Sequence, residues 1–255
     1  MDKIMVGTFN TKDNKVNRRG GIRDDGINSA EIVSGIIKEN EFDFLGTQEL
    51  TIKYVNELTL RLQDYKFYGS YRYGNLLTAM PYNENNQIIT NNNVVYDKTI
   101  WLPWVARNFP DLKDSITKMS IMPRVATIVI SEDYEHRKVC MINTHLDYQV
   151  PSIQLRQLKA LQKIVQKYGQ DYEIILTGDF NMELGDKKFN SFVSSVDDKL
   201  KHVDIGSNTW HGNDSEKASI DHIFVPKNWQ VENAGIIDSK GTSDHDVVFA
   251  EVRRR

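Results

Sequence analysis

Apolar residues fall into short runs of strand length at 4–9, 43–47, 87–96, 125–130, 138–144, 173–177, 220–225 and 246–252, rich in Val, Ile, Phe and Thr. Between some of these runs the apolar spacing changes to three and four. Leu158, Leu161, Val165 and Tyr168 share one face of a predicted helix, as do Ala30, Val33 and Ile37. The polar stretch from Lys12 to Gly26 and the Asn-rich stretch from Tyr82 to Asn93 read as loops. Strands come singly, in pairs and with helices between only some of them, which fits neither a barrel of alternating units nor a helical bundle. Two packed sheets with outer helices fit, and they bring strand ends from both halves of the chain to one edge. No repeat, heptad or composition shift divides the chain, so residues 1–255 are expected to form one domain.

Composition narrows this picture slightly. At 255 residues, 40% hydrophobic and 26% charged, the chain can bury one large core. Lys and Arg total 32 against 35 Asp and Glu, a net charge of −3, so no global positive field draws the protein onto nucleic acid. A local basic cleft is still open to it. Cys140 is the sole cysteine and lies in the apolar run Val139 to Ile142; this excludes an internal disulfide and reads as a buried small hydrophobe. Met1 to Val6 passes directly into a strand pattern without a leader signature, and no apolar run reaches the roughly 18 residues of a membrane span. A cytoplasmic monomer is the expectation.

The candidate chemistry sits where strands end. Asn10, Glu49, His145, Asp179 with Asn181, Asp221, and Asp244 with His245 each lie at or beside the end of an apolar run. Carboxylate and amide oxygens suit Mg2+, and neutral imidazoles suit proton transfer. Taken alone, Glu49 either opens the following helix or binds a cation, and Asn10 either stabilises a turn or supplies a neutral oxygen. Asp179 and Asn181, two residues apart, can turn their oxygens to the same side and orient a water. His136, His202, His211 and His222 carry no motif and read as surface or satisfied core groups.

Six segments in this order, Gly7-Thr8-Phe9-Asn10, Thr47-Gln48-Glu49-Leu50, Asn143-Thr144-His145-Leu146-Asp147, Thr177-Gly178-Asp179-Phe180-Asn181, Ser219-Ile220-Asp221-His222-Ile223-Phe224 and Ser243-Asp244-His245, resemble the motifs of the endonuclease/exonuclease/phosphatase superfamily. The resemblance spans almost the whole chain. It implies a DNase I-like fold, a four-layer α-β-β-α sandwich of two mixed β-sheets flanked by helices, and a phosphoesterase using Mg2+, with Mn2+ as a substitute. It makes Glu49 the main metal ligand, with Asn10 and Asp244 beside it. It places His145 on the scissile phosphate, pairs His245 with Asp221, and assigns the attacking water to Asp179 and Asn181, leaving open which of Asp179 and His245 takes its proton. Glu84, in Asn83-Glu84-Asn85, resembles a glutamate that supports the first histidine, although Asn83 stands where the family has glycine. Arg124 resembles an arginine near the phosphate, and Arg156 with Gln157 also follows a family pattern. Arg18, Arg19 and Arg23 form a small basic cluster beyond Asn10, from which Arg23 is the candidate second phosphate contact. The terminal Arg253-Arg254-Arg255 reads as a solvated tail.

For the substrate, Asn143-Thr144-His145-Leu146-Asp147 departs from the Asn-x-Tyr-x-Pro segment of abasic-site nucleases and resembles branches acting on nucleotide, RNA-tail, sugar-phosphate or lipid phosphoesters. No interleaving of aromatic and basic residues marks a platform for single strands. A small or terminal phosphodiester or phosphomonoester leads. A DNase-like nuclease and a catalytically inactive binding module on the same fold are the alternatives, and no key residue is missing that would favour the latter.

Overall fold

The structure, a computed structural model, describes residues 3–12, 21–22, 26–70, 84–103, 123–133, 135–212 and 216–254; the side chains of residues 84 and 85 lie outside that description. Four helices are described: α1 (Ser29–Glu39), α2 (Ile52–Arg61), α3 (Pro151–Tyr168) and α4 (Lys187–Val196). The strands are β1 (Lys3–Asn10), β2 (Phe44–Thr51), β3 (Lys66–Tyr68), β4 (Glu84–Thr90), β5 (Val94–Trp101), β6 (Val125–Glu132), β7 (Lys138–His145), β8 (Glu173–Asp179), β9 (Leu200–His202), β10 (Trp210–His211), β11 (Lys217–Ala218), β12 (Asp221–Pro226), β13 (Gln230–Ile237) and β14 (Val247–Arg253). They form a six-stranded sheet ordered β13-β14-β1-β2-β4-β3, a second ordered β5-β6-β7-β8-β12-β9, and a β10-β11 ribbon.

Each large sheet has one parallel pair at its centre, β1 with β2 and β7 with β8, and antiparallel neighbours on both sides. A parallel pair needs a crossover, and a helix supplies it in each sheet: α1 between β1 and β2, α3 between β7 and β8. Local chemistry fixes these helices. Asn28 caps α1 by accepting from the Ala30 N–H at 2.9 Å, Thr51 caps α2, and Asp186 caps α4, while α3 begins with Pro151, whose missing N–H costs nothing there.

The central strands are buried on both faces, which is why they read as unbroken apolar runs. Successive residues serve different layers. Ile128 and Ile130, Cys140 and Ile142 face α3 and α4 with Leu158, Leu161 and Phe189, whereas Val129 and Met141 face the other sheet with Val6, Val248 and Trp229. On the far side Val33, Ile37, Tyr54 and Leu58 of α1 and α2 cover Phe9 and Leu45. The order helix, sheet, sheet, helix is the four-layer sandwich expected, and Cys140 is a buried core group whose thiol burial pushes up to about 12.

Several details differ from the sequence pattern. The run 87–96 is two strands in different sheets, split by Asn91–Asn93, and most of the expected loop from Tyr82 to Asn93 is β4. The asparagines explain it: Asn92 Nδ2 binds the Asp43 carbonyl and closes the turn, while Asn86 is buried and binds across the sheets. Strands β3, β9 and β13 carry too few apolar positions to stand out, being edges or next to them. Of the expected solvated tail, Arg253 is 55% exposed as expected, Arg254 is not, and Arg255 lies outside the described residues. Arg253 ends β14 and binds Glu232 at 2.5 Å, and the Arg254 side chain, 14% exposed, lies over Trp229 and pairs with Glu173. Among the described residues, no helix is long and apolar enough to cross a membrane.

Candidate active site

Both parallel pairs end at the same edge of the sandwich: Asn10 closes β1, Glu49 lies near the end of β2, His145 closes β7 and Asp179 closes β8. Antiparallel β12 begins where β8 ends, so His145, Asp179 and Asp221 stand in one cross-strand row. Neighbouring strands are about 4.8 Å apart, which brings the three side chains within reach of one another.

Glu49 is aimed by a local irregularity. The pairing of β2 with β4 slips between Thr47 and Leu50, and Glu49 takes a left-handed φ of 59°. A bulge of this kind turns a side chain out of the alternation and toward the strand end. Asn10 then joins the sheets: its Nδ2 donates to Glu49 Oε1 at 3.2 Å and to Asp179 Oδ2 at 3.0 Å. Asp179 Oδ2 lies 3.5 Å from His145 Nε2 and 3.9 Å from His245 Nε2. His245 Nδ1 is 2.8 Å from Asp221 Oδ2, which also accepts from Thr209 Oγ1 at 2.6 Å.

Burial sets the electrostatics. Asp179 is raised to about 7, first because it is out of water and then because Asp221 is close; His245, the Asn10 amide and the Asn181 N–H lower it without offsetting this. Burial pushes the other way on His245, but Asp221, with help from Asp179 and Asp244, raises it to about 9. Asp179, Asp221 and His245 offer ligand atoms within 4.8 Å of one another.

Asn181 binds the loop rather than standing free. Its backbone N–H donates to Asp179 Oδ1 at 2.8 Å and its Nδ2 to the Leu146 carbonyl at 3.0 Å, with a left-handed φ of 52°. Asp244 lies at the rim, where Lys12 Nζ approaches its Oδ2 at 2.6 Å and Trp210 Nε1 donates to the same oxygen at 3.3 Å. Arg124 is 3% exposed, and its Nε and Nη1 have no hydrogen-bond partner among the described residues. Burial pushes its pKa down against the opposing pull of Glu49, Asp179 and Asp147, yet a guanidinium stays charged. A buried cation with idle donors beside a carboxylate cluster is built to meet an anion. Glu84 opens β4, but its side chain lies outside the described residues, as does Arg23 with Arg18 and Arg19.

The remaining histidines behave as the bland expectation had it. His222 donates from Nε2 to the Met182 carbonyl at 2.8 Å and sits 3.0 Å from His202 among Phe180, Phe189 and Phe224. His136 is 87% exposed beside Glu132, and His211 pairs with Asp246 at 2.6 Å.

Three groups escaped the sequence pattern. Thr209 holds Asp221, and Lys12 with Trp210 holds Asp244. Beneath them, Asn143 accepts from Gln48 Nε2 at 2.7 Å and donates to the Thr47 carbonyl, the Gln87 carbonyl and Asn86 Oδ1, all buried between the sheets. Gln48 and Asn143 are amides inside apolar strands, and that anomaly was the available signal. Packing of β8 against β7 within one sheet is equally tight at Gly178, where an added Cβ would lie 2.1 Å from the Thr144 carbonyl oxygen. Gly178→Ala is expected to cost about 1–3 kcal/mol of stability, measured by urea unfolding, and to lower kcat by displacing Asp179 and His145.

A sequence profile of the endonuclease/exonuclease/phosphatase family matches residues 19–245. The chain belongs to this family. It is therefore a phosphoesterase in class, and the two mixed sheets with outer helices are this family's fold. A search of curated proteins found no significant match. Among solved structures, a family member from Bacteroides thetaiotaomicron is similar with a TM-score of 0.78 at 18% identity, covering 100% of this chain and 99% of that one. A mannosyl-6-phosphatase from B. thetaiotaomicron VPI-5482 is similar with a TM-score of 0.75 at 19% identity, covering 98% and 99%. TDP2 from D. rerio, complexed with a single-strand DNA product, gives 0.74 at 15% identity, covering 99% of each chain.

Proposed function

We propose that this protein is a Mg2+-dependent hydrolase of a small or terminal phosphoester, its 255 residues acting as one domain. The observation that carries this is the buried row of His145, Asp179 and Asp221 with His245 across it, close to the charge of Arg124, whose Nε and Nη1 have no partner among the described residues. The residues fit a hard cation. Asn10, Glu49 and Asp244 offer oxygen only, and the sole cysteine is buried in the core. Those three would hold Mg2+, which when bound supplies positive charge to a nonbridging oxygen and to the leaving group.

The chain's own groups do the rest. Arg124 and His145 hold the nonbridging oxygens of the phosphoryl group. Asn181 and Asp179 orient a water in line with the bond to be broken. The water oxygen attacks phosphorus, its proton passes to the Asp179–His245 pair, and the bond to the leaving oxygen breaks on the opposite side, that oxygen taking a proton from solvent. Asp221, itself held by Thr209, fixes the ring of His245 and stabilises it when protonated. The short His245–Asp221 contact, already shared with Thr209, supports a relay in preference to a metal site at Asp179, Asp221 and His245.

The substrate class rests on charge. A net charge of −3 gives no overall positive field to draw a duplex onto the chain. Phosphatase and DNA-bound neighbours share the fold, and the fold favours neither. Bis-p-nitrophenyl phosphate, a monoester, plasmid DNA, oligo-RNA and sphingomyelin, each with Mg2+, Mn2+ or EDTA, separate the classes. A small ester is expected to be cleaved with kcat/KM falling only modestly from low to physiological salt. Nicking of plasmid at nanomolar enzyme, collapsing as salt rises, would promote the nuclease instead. The expected setting is a cytoplasmic monomer, which light scattering tests for its oligomeric state.

A further inference from the structure

Lys12 follows Asn10 by two residues, and its ammonium group meets Asp244 from across the site. Lys12 Nζ lies 2.6 Å from Asp244 Oδ2. An ion pair of this kind on an open surface contributes little and wanders. This one is aimed by fixed backbone on both sides. Thr11, 1% exposed, donates both its N–H and its hydroxyl to the Gln48 carbonyl at 3.0 Å. The Lys12 N–H donates to Asn10 Oδ1 at 3.0 Å, and Lys12 itself takes a left-handed φ of 56°. On the opposite side Ser243 Oγ donates to the Asn10 carbonyl at 2.7 Å, so the loop carrying Asp244 is tied to the turn carrying Lys12. The Lys12 side chain is 46% exposed and that of Asp244 24%, and Trp210 Nε1 holds the same Oδ2.

Glu49, Asp179, Asp221 and Asp244 bring four carboxyl groups to one strand edge. Arg124 and His245 offset part of the negative charge around this pair. Where a phosphoryl-transfer centre holds two divalent ions, they lie about 3.5–4 Å apart. A second ion on Asp244 Oδ2 would have to share that oxygen with an ammonium group, at a separation where like charges repel strongly.

We propose that Lys12 takes the place of a second divalent ion: its ammonium group occupies Asp244, limits the centre to one ion and supplies the second positive charge beside the phosphoryl group. This rests on the metal-dependent reading above, in which Asn10, Glu49 and Asp244 would hold the single ion.

Titration of the full chain with Mn2+, read by the electron paramagnetic resonance signal of free Mn2+, tests it without reference to turnover. The wild-type chain is expected to bind one Mn2+. Lys12→Gln, with folding checked by circular dichroism, is expected to bind a second and to lose at least tenfold in kcat, part of which returns at high Mn2+. Lys12→Arg, which keeps the charge, is expected to remain at one ion. Two ions on the wild-type chain, or one ion still on Lys12→Gln, overturns the proposal whatever the rates. No ion on the wild-type chain removes the metal reading itself and this inference with it.

Discussion

His245→Ala is expected to lower kcat by about a hundredfold or more while the chain stays folded, and His145→Ala to do the same. The expectation follows from what holds each ring. His245 is 5% exposed, anchored through Nδ1 to Asp221, and presents Nε2 toward Asp179. His145 presents Nε2 to the same carboxylate from the neighbouring strand. Asp221→Asn should lose nearly as much as His245→Ala, because an amide neither fixes the same tautomer nor stabilises the charged ring. His136→Ala, at an 87% exposed position, should leave the rate unchanged. Steady-state rates on bis-p-nitrophenyl phosphate at saturating Mg2+, with circular dichroism for folding, settle it. Equal behaviour of His136→Ala and His245→Ala would refute the catalytic assignment.

Much of this site could be read from the chain because its residues lie at strand ends, where an apolar run stops and one polar side chain follows. Asn10, His145 and Asp179 are of that kind: pairing of β7 with β8 sets His145 beside Asp179, and packing of the two sheets brings Asn10 to them. What the pattern could not carry is orientation. Glu49 points to the site because of a bulge and a left-handed backbone angle, and neither has a signature in Thr47-Gln48-Glu49-Leu50. Long-range partners were equally hidden. Thr209 and Lys12 sit in polar segments where nothing distinguishes a residue that reaches Asp221 or Asp244 from one that faces water. Arg124 could be seen as a candidate, but its burial with idle donors depends on packing from several elements. Arg254 shows the reverse case, a terminal basic residue that looks solvated and instead covers Trp229. Edge strand β13 was missed because an edge needs only one apolar face.

Activity is expected to disappear on exhaustive EDTA treatment and to return with Mg2+ or Mn2+, and Glu49→Ala is expected to lose about 10–100-fold at limiting Mg2+. Glu49 is the carboxylate most committed by the backbone to this position, since the bulge that aims it interrupts the ladder of β2 with β4. Its Oε1 meets Asn10, and Asn10 in turn meets Asp179, so a cation bound at Glu49 would act on all three. A cation there would also relieve the crowding of Asp179 against Asp221, the second cause after burial that holds Asp179 near 7. Loss of Glu49 should therefore raise the Mg2+ concentration needed for half-maximal rate more than it lowers the rate at saturation, a split that a merely destabilised fold would not give. Zn2+ should serve poorly, because the donors are oxygen and the imidazoles are occupied by carboxylates. A rate that survives EDTA, or Glu49→Ala at wild-type rate in limiting Mg2+, would show that the oxygen cluster holds no catalytic ion. In that case Arg124 and His145 alone would have to carry the phosphoryl charge.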